Sequence, residues 1–198
     1  FFDVYFIVFS LFILYHLIHQ NCVVISAIVN IFEIIKKYYH PDSRAYYFLV
    51  EHGKSVASKA IELAKRVKHL EPDIDFIQEA AILHDIGIFL TNAKKIDCHG
   101  DKPYICHGYL GKELLEKEGY PKHALVCERH VGLGLSLEEI IEQKLPIPKR
   151  DMIPLTIEEK IICLADKFFS KSNKDLSAED TLENIRKGAS KFSINQVT

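Results

Sequence analysis

Residues 79–89 read EAAILHDIGIF, an adjacent histidine and aspartate set among residues that otherwise belong in a core. Burying an unpaired carboxylate costs several kcal/mol unless a cation or hydrogen-bond donors stand nearby. Whatever this chain folds into must therefore bring compensating groups to Asp85 from elsewhere in the sequence.

The hydrophobic pattern says which elements could carry them. NIFEIIKKYY reads as a helix stopped at His40-Pro41, because the residue before proline is pushed out of helical geometry. In SRAYYFLVEHGKSVASKAIELAKRVKHL, Val56, Ala60, Leu63, Ala64 and Val67 recur at helical steps on one face. Gly53 leaves room there for a break or for close packing. Asp73 can cap a helix from Ile74 to about Ile86 that Gly87 would stop. A loop from about Leu90 to Tyr104 follows, then a helix in ICHGYLGKELLEKE ending at Gly119, and a short one in KHALVCERH after Pro121. SLEE and TIEE have the capping-box form and open helices at Leu137 and Ile157. SAED caps a last helix through TLENIRKGA. Strand signals are weak, so the expected fold class is all-α, a helical bundle with short connections.

With 198 residues, 48% of them hydrophobic, the chain can fill one core. The net charge of −2, with Lys and Arg scattered, gives no general electrostatic case for nucleic acid. The odd set of Cys22, Cys98, Cys106, Cys127 and Cys163 holds no C-x-x-C pair, which suits half-buried reduced thiols in a cytosol better than a disulfide framework. Cys98-His99 and Cys106-His107 match no zinc-ribbon or zinc-finger spacing.

Residues 1–30 form a separate apolar segment ahead of a domain at 31–198, for no Asp, Glu, Lys or Arg occurs from Val4 to Phe32. One reading makes it a membrane anchor, since about 20 apolar residues span a bilayer and Lys36 and Lys37 would lie on the cytoplasmic side. Another starts the protein at Val29, a GUG codon read literally, with residues 1–28 translated from upstream; a third makes it an ordinary buried helix. The domain is expected in the cytoplasm on the first two readings. A secretory signal is not expected, because a basic n-region and a clear cleavage site are missing. A chain cut short at Thr198 would hide a final helix.

The groups that could meet Asp85 lie in separate helical segments: His52 in VEHGKSVA, His84 beside Asp85 itself, His107 in ICHGYLG, His130 in CERHVG and Asp166 in IICLADKFF. A bundle can aim such side chains at one point, and helical proteins commonly build metal sites in this way. Imidazole nitrogen with carboxylate oxygen suits iron, manganese or zinc and is too nitrogen-rich for a magnesium-only cage. A cation would neutralise Asp85. Taken singly, each histidine has a bland explanation on a helix surface or in a satisfied core, Asp85 could simply end a helix before Gly87, and Asp166 could pair with Lys167. The coincidence of all six carries the weight.

The order His52 … His84-Asp85 … His107 … His130 … Asp166 resembles the HD-domain metal-dependent phosphohydrolases, in particular the HDIG subgroup, over roughly residues 31–190. The two extra histidines make it similar to dinuclear members, among them the bacterial HD-type symmetrical diadenosine tetraphosphate hydrolases. That resemblance implies an HD-domain bundle with one or two divalent transition-metal ions. His52, His84, Asp85 and Asp166 would hold one ion, and Asp85 would bridge to a second held by His107 and His130. It departs from the tetraphosphate hydrolases after the HD pair, where IGIF replaces their aromatic or small residue and lysine. The substrate contact near that lysine does not carry over.

The activity implied is hydrolysis of a nucleotide or other small phosphate ester by a metal-activated water, with Asp85 touching both ions. Asp85, Lys167 and Arg129 are the catalytic candidates, the two cations each standing next to a proposed ligand. Lys94, Lys95 and His99 are candidates for substrate contact. Adjacent helical residues point about 100° apart, however, so a neighbour of a ligand need not share its pocket. Hydrolysis of a dinucleotide polyphosphate is the alternative within this class. A non-catalytic module binding a nucleotide or a partner is the alternative outside it. The oligomeric state is not legible, and a membrane enters only through residues 4–28.

Overall fold

The computed structural model describes residues 31–170 and 175–189. The readings of the apolar segment 1–30, Cys22, and any helix beyond Thr198 lie outside these residues. Among those described, no helix is long and apolar enough to cross a membrane.

The fold is all-α. Helix α1 (31–38) precedes α2 (Arg44–Arg66), α3 (Ile74–Leu83), α4 (His107–Lys117), α5 (Pro121–Arg129), α6 (Leu137–Glu142), α7 (Ile157–Asp166) and α8 (Leu182–Ala189). Ser43 caps α2 by accepting from the Tyr46 N–H, and Asp73 caps α3 by accepting from that of Phe76. Pro121 opens α5 at a position whose N–H no helix uses. Helix α2 lies against α3 and α7, α4 against α5, and α3 and α5 each against α7. Val56, Ala60 and Ala64 make the buried part of the anticipated stripe on α2, while Leu63 and Val67 are half-buried at its edge. A smaller apolar cluster of Cys106, Ile140, Ile147 and Met152 seats α6 against the start of α4.

Several local expectations need correction. Helix α3 ends at Leu83, and a 3-10 turn covers Ile86–Leu90. Gly87 is therefore no C-terminal stop; its φ is not positive, and it is small because α4 crosses it closely. A Cβ there would lie 2.3 Å from the His107 carbonyl oxygen and 2.5 Å from the Gly111 nitrogen. Thr156 caps α7 by accepting from the Glu159 N–H, but the box is left half-made, because the Glu159 carboxylate turns to Arg129 and the Leu155 N–H. Ser136 makes the complete box. At α8 Thr181, not Ser177, accepts from the Asn184 N–H, while Ser177 closes a turn on Asp175.

The segment expected as a loop holds a short antiparallel pair, β1 (Asn92–Ala93) with β2 (Cys98–His99), and a turn at Asp97 with φ +61°. Gly53 serves close packing, since a Cβ would meet the Ile82 carbonyl oxygen at 2.9 Å. Cys98, Cys106, Cys127 and Cys163 are free and fully buried rather than half-buried. Cys127 donates to the Leu83 carbonyl and Cys106 to that of Pro146.

Candidate metal centre

Three helices end at one place. His84 caps the C-terminus of α3, His130 caps that of α5, and Asp166 is the last residue of α7. One side-chain atom from each of these three lies within 4.8 Å of the others. Helix C-termini carry partial negative charge, so this junction favours a cation. His52 reaches it from the middle of α2 and His107 from the first residue of α4. All six residues are buried.

The histidine tautomers follow from their outer bonds. The Nδ1–H groups of His84, His107 and His130 donate to the carbonyl oxygens of Ala81, Tyr104 and Cys127 at 2.7, 2.7 and 2.8 Å. A carbonyl only accepts, so each Nδ1 carries a proton, and in the neutral form of the ring Nε2 is then bare and faces inward. Hydrogen bonding of the outer ring nitrogen is what orients metal-ligating histidines. Burial pushes His130 down to about 4, against the opposing pull of Asp85, so that ring is neutral near pH 7.

The inner nitrogens then have little to bond to but one another and carboxylates. Nε2 of His107 and His130 are 3.1 Å apart. Two bare nitrogens at that distance repel unless a cation, proton or metal, lies with them. Nε2 of His84 makes no hydrogen bond; it lies 3.5 Å from Asp85 and 3.4 Å from Asp166. Asp85 divides its oxygens: Oδ2 faces His52 at 3.6 Å and His84 at 3.5 Å, while Oδ1 faces His107 and His130 at 3.3 Å each. Asp166 Oδ1 lies 3.0 Å from His52 Nε2. Nitrogen and carboxylate donors so gathered, with their lone pairs inward, fit a divalent metal ion.

The structure brings together His52, His84, Asp85, His107, His130 and Asp166. Lys167 stands at the margin, its ammonium 2.6 Å from Asp166 Oδ2. Arg129 turns away and donates to both Glu159 oxygens at 2.9 and 3.0 Å, in a structural ion pair between α5 and α7. His99 is exposed and pairs with Asp97 at 3.0 Å, away from the cluster. Lys94 and Lys95 line a surface groove shared with Tyr104, whose ring stacks on His107 with centroids 4.6 Å apart. The sequence argument missed Tyr104 and the carbonyls of Ala81 and Cys127. Their signal was available in part: His84 and His130 each follow a helix end, where last-turn carbonyls lack intrahelical partners.

Comparison with known proteins agrees with this geometry. The HD domain family model matches residues 49–170. The uncharacterized protein MJ0778 of Methanocaldococcus jannaschii is 37% identical over 142 residues, which cover 70% of this chain and 76% of that protein. A tRNA (cytidine(56)-2'-O)-methyltransferase of Thermoplasma volcanium is 33% identical over 141 residues, 71% of this chain and 37% of its own length. Its namesake in Picrophilus torridus is 34% identical over 123 residues, 62% of this chain and 31% of its own. The match thus spans only about a third of those two methyltransferases, whereas it spans most of the Methanocaldococcus protein. No solved structure matches significantly. On the family match, which covers more than half of its length, the chain belongs to the HD-domain family.

Proposed function

We propose that this protein is a metal-dependent phosphohydrolase acting on a nucleotide or another small phosphate ester. The observation carrying the proposal is the convergence of four buried imidazoles on a buried carboxylate, each of whose oxygens faces two of them. His52, His84, Asp166 and Oδ2 of Asp85 would hold one divalent ion; His107, His130 and Oδ1 of Asp85 would hold a second. Ions bound there supply a water of lowered pKa and neutralise phosphoryl charge.

The remaining work falls to side chains of this chain. The three backbone-anchored histidines keep their rings in register, so little reorganisation is needed when substrate arrives. Lys167, with donors beyond the one given to Asp166, is placed to take a phosphoryl oxygen at the margin of the site. Arg129 is not needed for this chemistry. A dinucleotide polyphosphate stays within the same reading, and RNA-terminal phosphates enter the substrate screen as a further class of phosphate ester.

The test is phosphate release from a panel of nucleotides, dinucleotide polyphosphates and RNA-terminal phosphates, with iron(II), manganese or zinc supplied. Turnover is expected to vanish with a chelator, to return with metal, and to be lost in Asp85→Asn. Turnover indifferent to the chelator would contradict the proposal.

A further inference from the structure

A groove of about 640 Å³ runs beside the metal centre, lined by Ala93, Lys94, Lys95, Ile96, Tyr104 and Ser170. Tyr104 joins the two: its ring stacks on His107 and its carbonyl holds the His107 Nδ1–H. Far more than a phosphate fits in that volume, which lies in the range of sites for small organic ligands. Ala93, Ile96 and Tyr104 supply an apolar side on which a planar ring can lie.

The charge of the groove narrows the ligand. Lys94 and Lys95 are exposed, and among the described residues neither ammonium group has a hydrogen bond or an ion pair. Some other lysines are paired, such as Lys36 with Glu33, Lys54 with Glu51 and Lys112 with Glu116, whereas exposed Lys65 and Lys68 have no ion pair among the described residues and do not line this groove. A nucleoside monophosphate would place its one dianion at the metal centre and leave both ammonium groups facing water. A ligand with a second phosphate uses both places.

We propose that this groove binds the part of a nucleoside polyphosphate beyond the scissile phosphate. A second phosphate lies against Lys94 and Lys95, and the base against Ala93, Ile96 and Tyr104. The proposal rests on the phosphohydrolase reading only for the position of the scissile phosphate. His99, paired with Asp97, takes no part.

The full chain carrying metal is assayed for kcat/KM on ADP and AMP. The same chain after chelation is titrated with both nucleotides by calorimetry at low salt. After chelation ADP is expected to bind about fivefold tighter than AMP, the scale of two solvent-exposed charge contacts. Lys94→Ala/Lys95→Ala should erase that preference in binding and in kcat/KM. A control at two exposed lysines near the end of α2, Lys65→Ala/Lys68→Ala, should keep it. Equal binding of the two nucleotides, or a preference that survives in Lys94→Ala/Lys95→Ala, overturns the groove assignment. So does a short RNA oligonucleotide that displaces ADP and binds tighter. If no phosphate ester is turned over but the lysine-dependent preference stands, the hydrolase reading falls and the groove remains a nucleotide site.

Discussion

Asp85 is the residue on which the account turns. Its carboxylate is fully buried, and each oxygen faces two imidazoles rather than a fixed cation. Without metal that arrangement is costly where the rings are neutral, because a neutral imidazole repays only part of the desolvation of the charge. Asp85→Asn keeps the shape and removes the charge. In the presence of a chelator the variant is expected to be more stable than the parent protein by about 1–3 kcal/mol. With metal present the order should reverse, since the parent gains binding energy that the variant loses. Urea unfolding under both conditions checks this. In the sequence Asp85 and Asp166 stood out because each follows an apolar run, and the four histidines only through their coincidence with them. Arg129 illustrates the limit of adjacency: it points about 100° away from His130, and there it donates to Glu159.

At the scale of elements, the site depends on how closely α4 crosses the turn after α3. Gly87 allows that crossing, and the backbone of His107 lies against it. Gly87→Ala forces the two segments apart, and overpacking of this kind costs roughly 2–3 kcal/mol. It should also weaken metal binding, because the displaced carbonyl belongs to the residue whose side chain enters the centre. Urea unfolding with a parallel metal titration separates the two effects. A loss of stability with undiminished metal affinity would show that the crossing serves packing alone. Helix starts were largely readable, since Asp73 and Ser136 hydrogen-bond as their positions suggest and Thr156 makes half of its box, although Thr181 rather than Ser177 caps α8. Helix ends were less so. Gly87 looked like a C-terminal stop because a sequence marks a small residue without saying whether φ or a neighbouring backbone demands it.

For the whole molecule, the bundle puts three helix C-termini around a buried cluster of imidazoles, and this sets its pH dependence. An unfolded histidine titrates near 6.5, whereas buried His130 stays neutral down to about 4. Between those values the unfolded chain binds more protons, so stability falls as pH falls. His123, also lowered by burial though opposed by Glu79, adds in the same direction. The metal-free protein should lose of the order of 2–3 kcal/mol between pH 6.5 and 4, on top of any acid loss from carboxylates. Thermal unfolding in chelator across that window measures it. The bundle was legible from helical spacing, whereas the gathering of its distant histidines was legible only through their order along the chain and the family resemblance which that order carries. The groove beside Tyr104 was not, because its walls come from a segment that the sequence presents only as a loop.

The central claim is that the buried cluster is a metal centre divided by Asp85. The full-length chain, purified without oxygen, should be analysed for bound transition metal beside His107→Ala. Two ions per chain, falling toward one in His107→Ala, is the predicted result. One ion in both would contradict the division by Asp85. Correctly folded protein that takes up no metal, even after reconstitution, would contradict the claim itself.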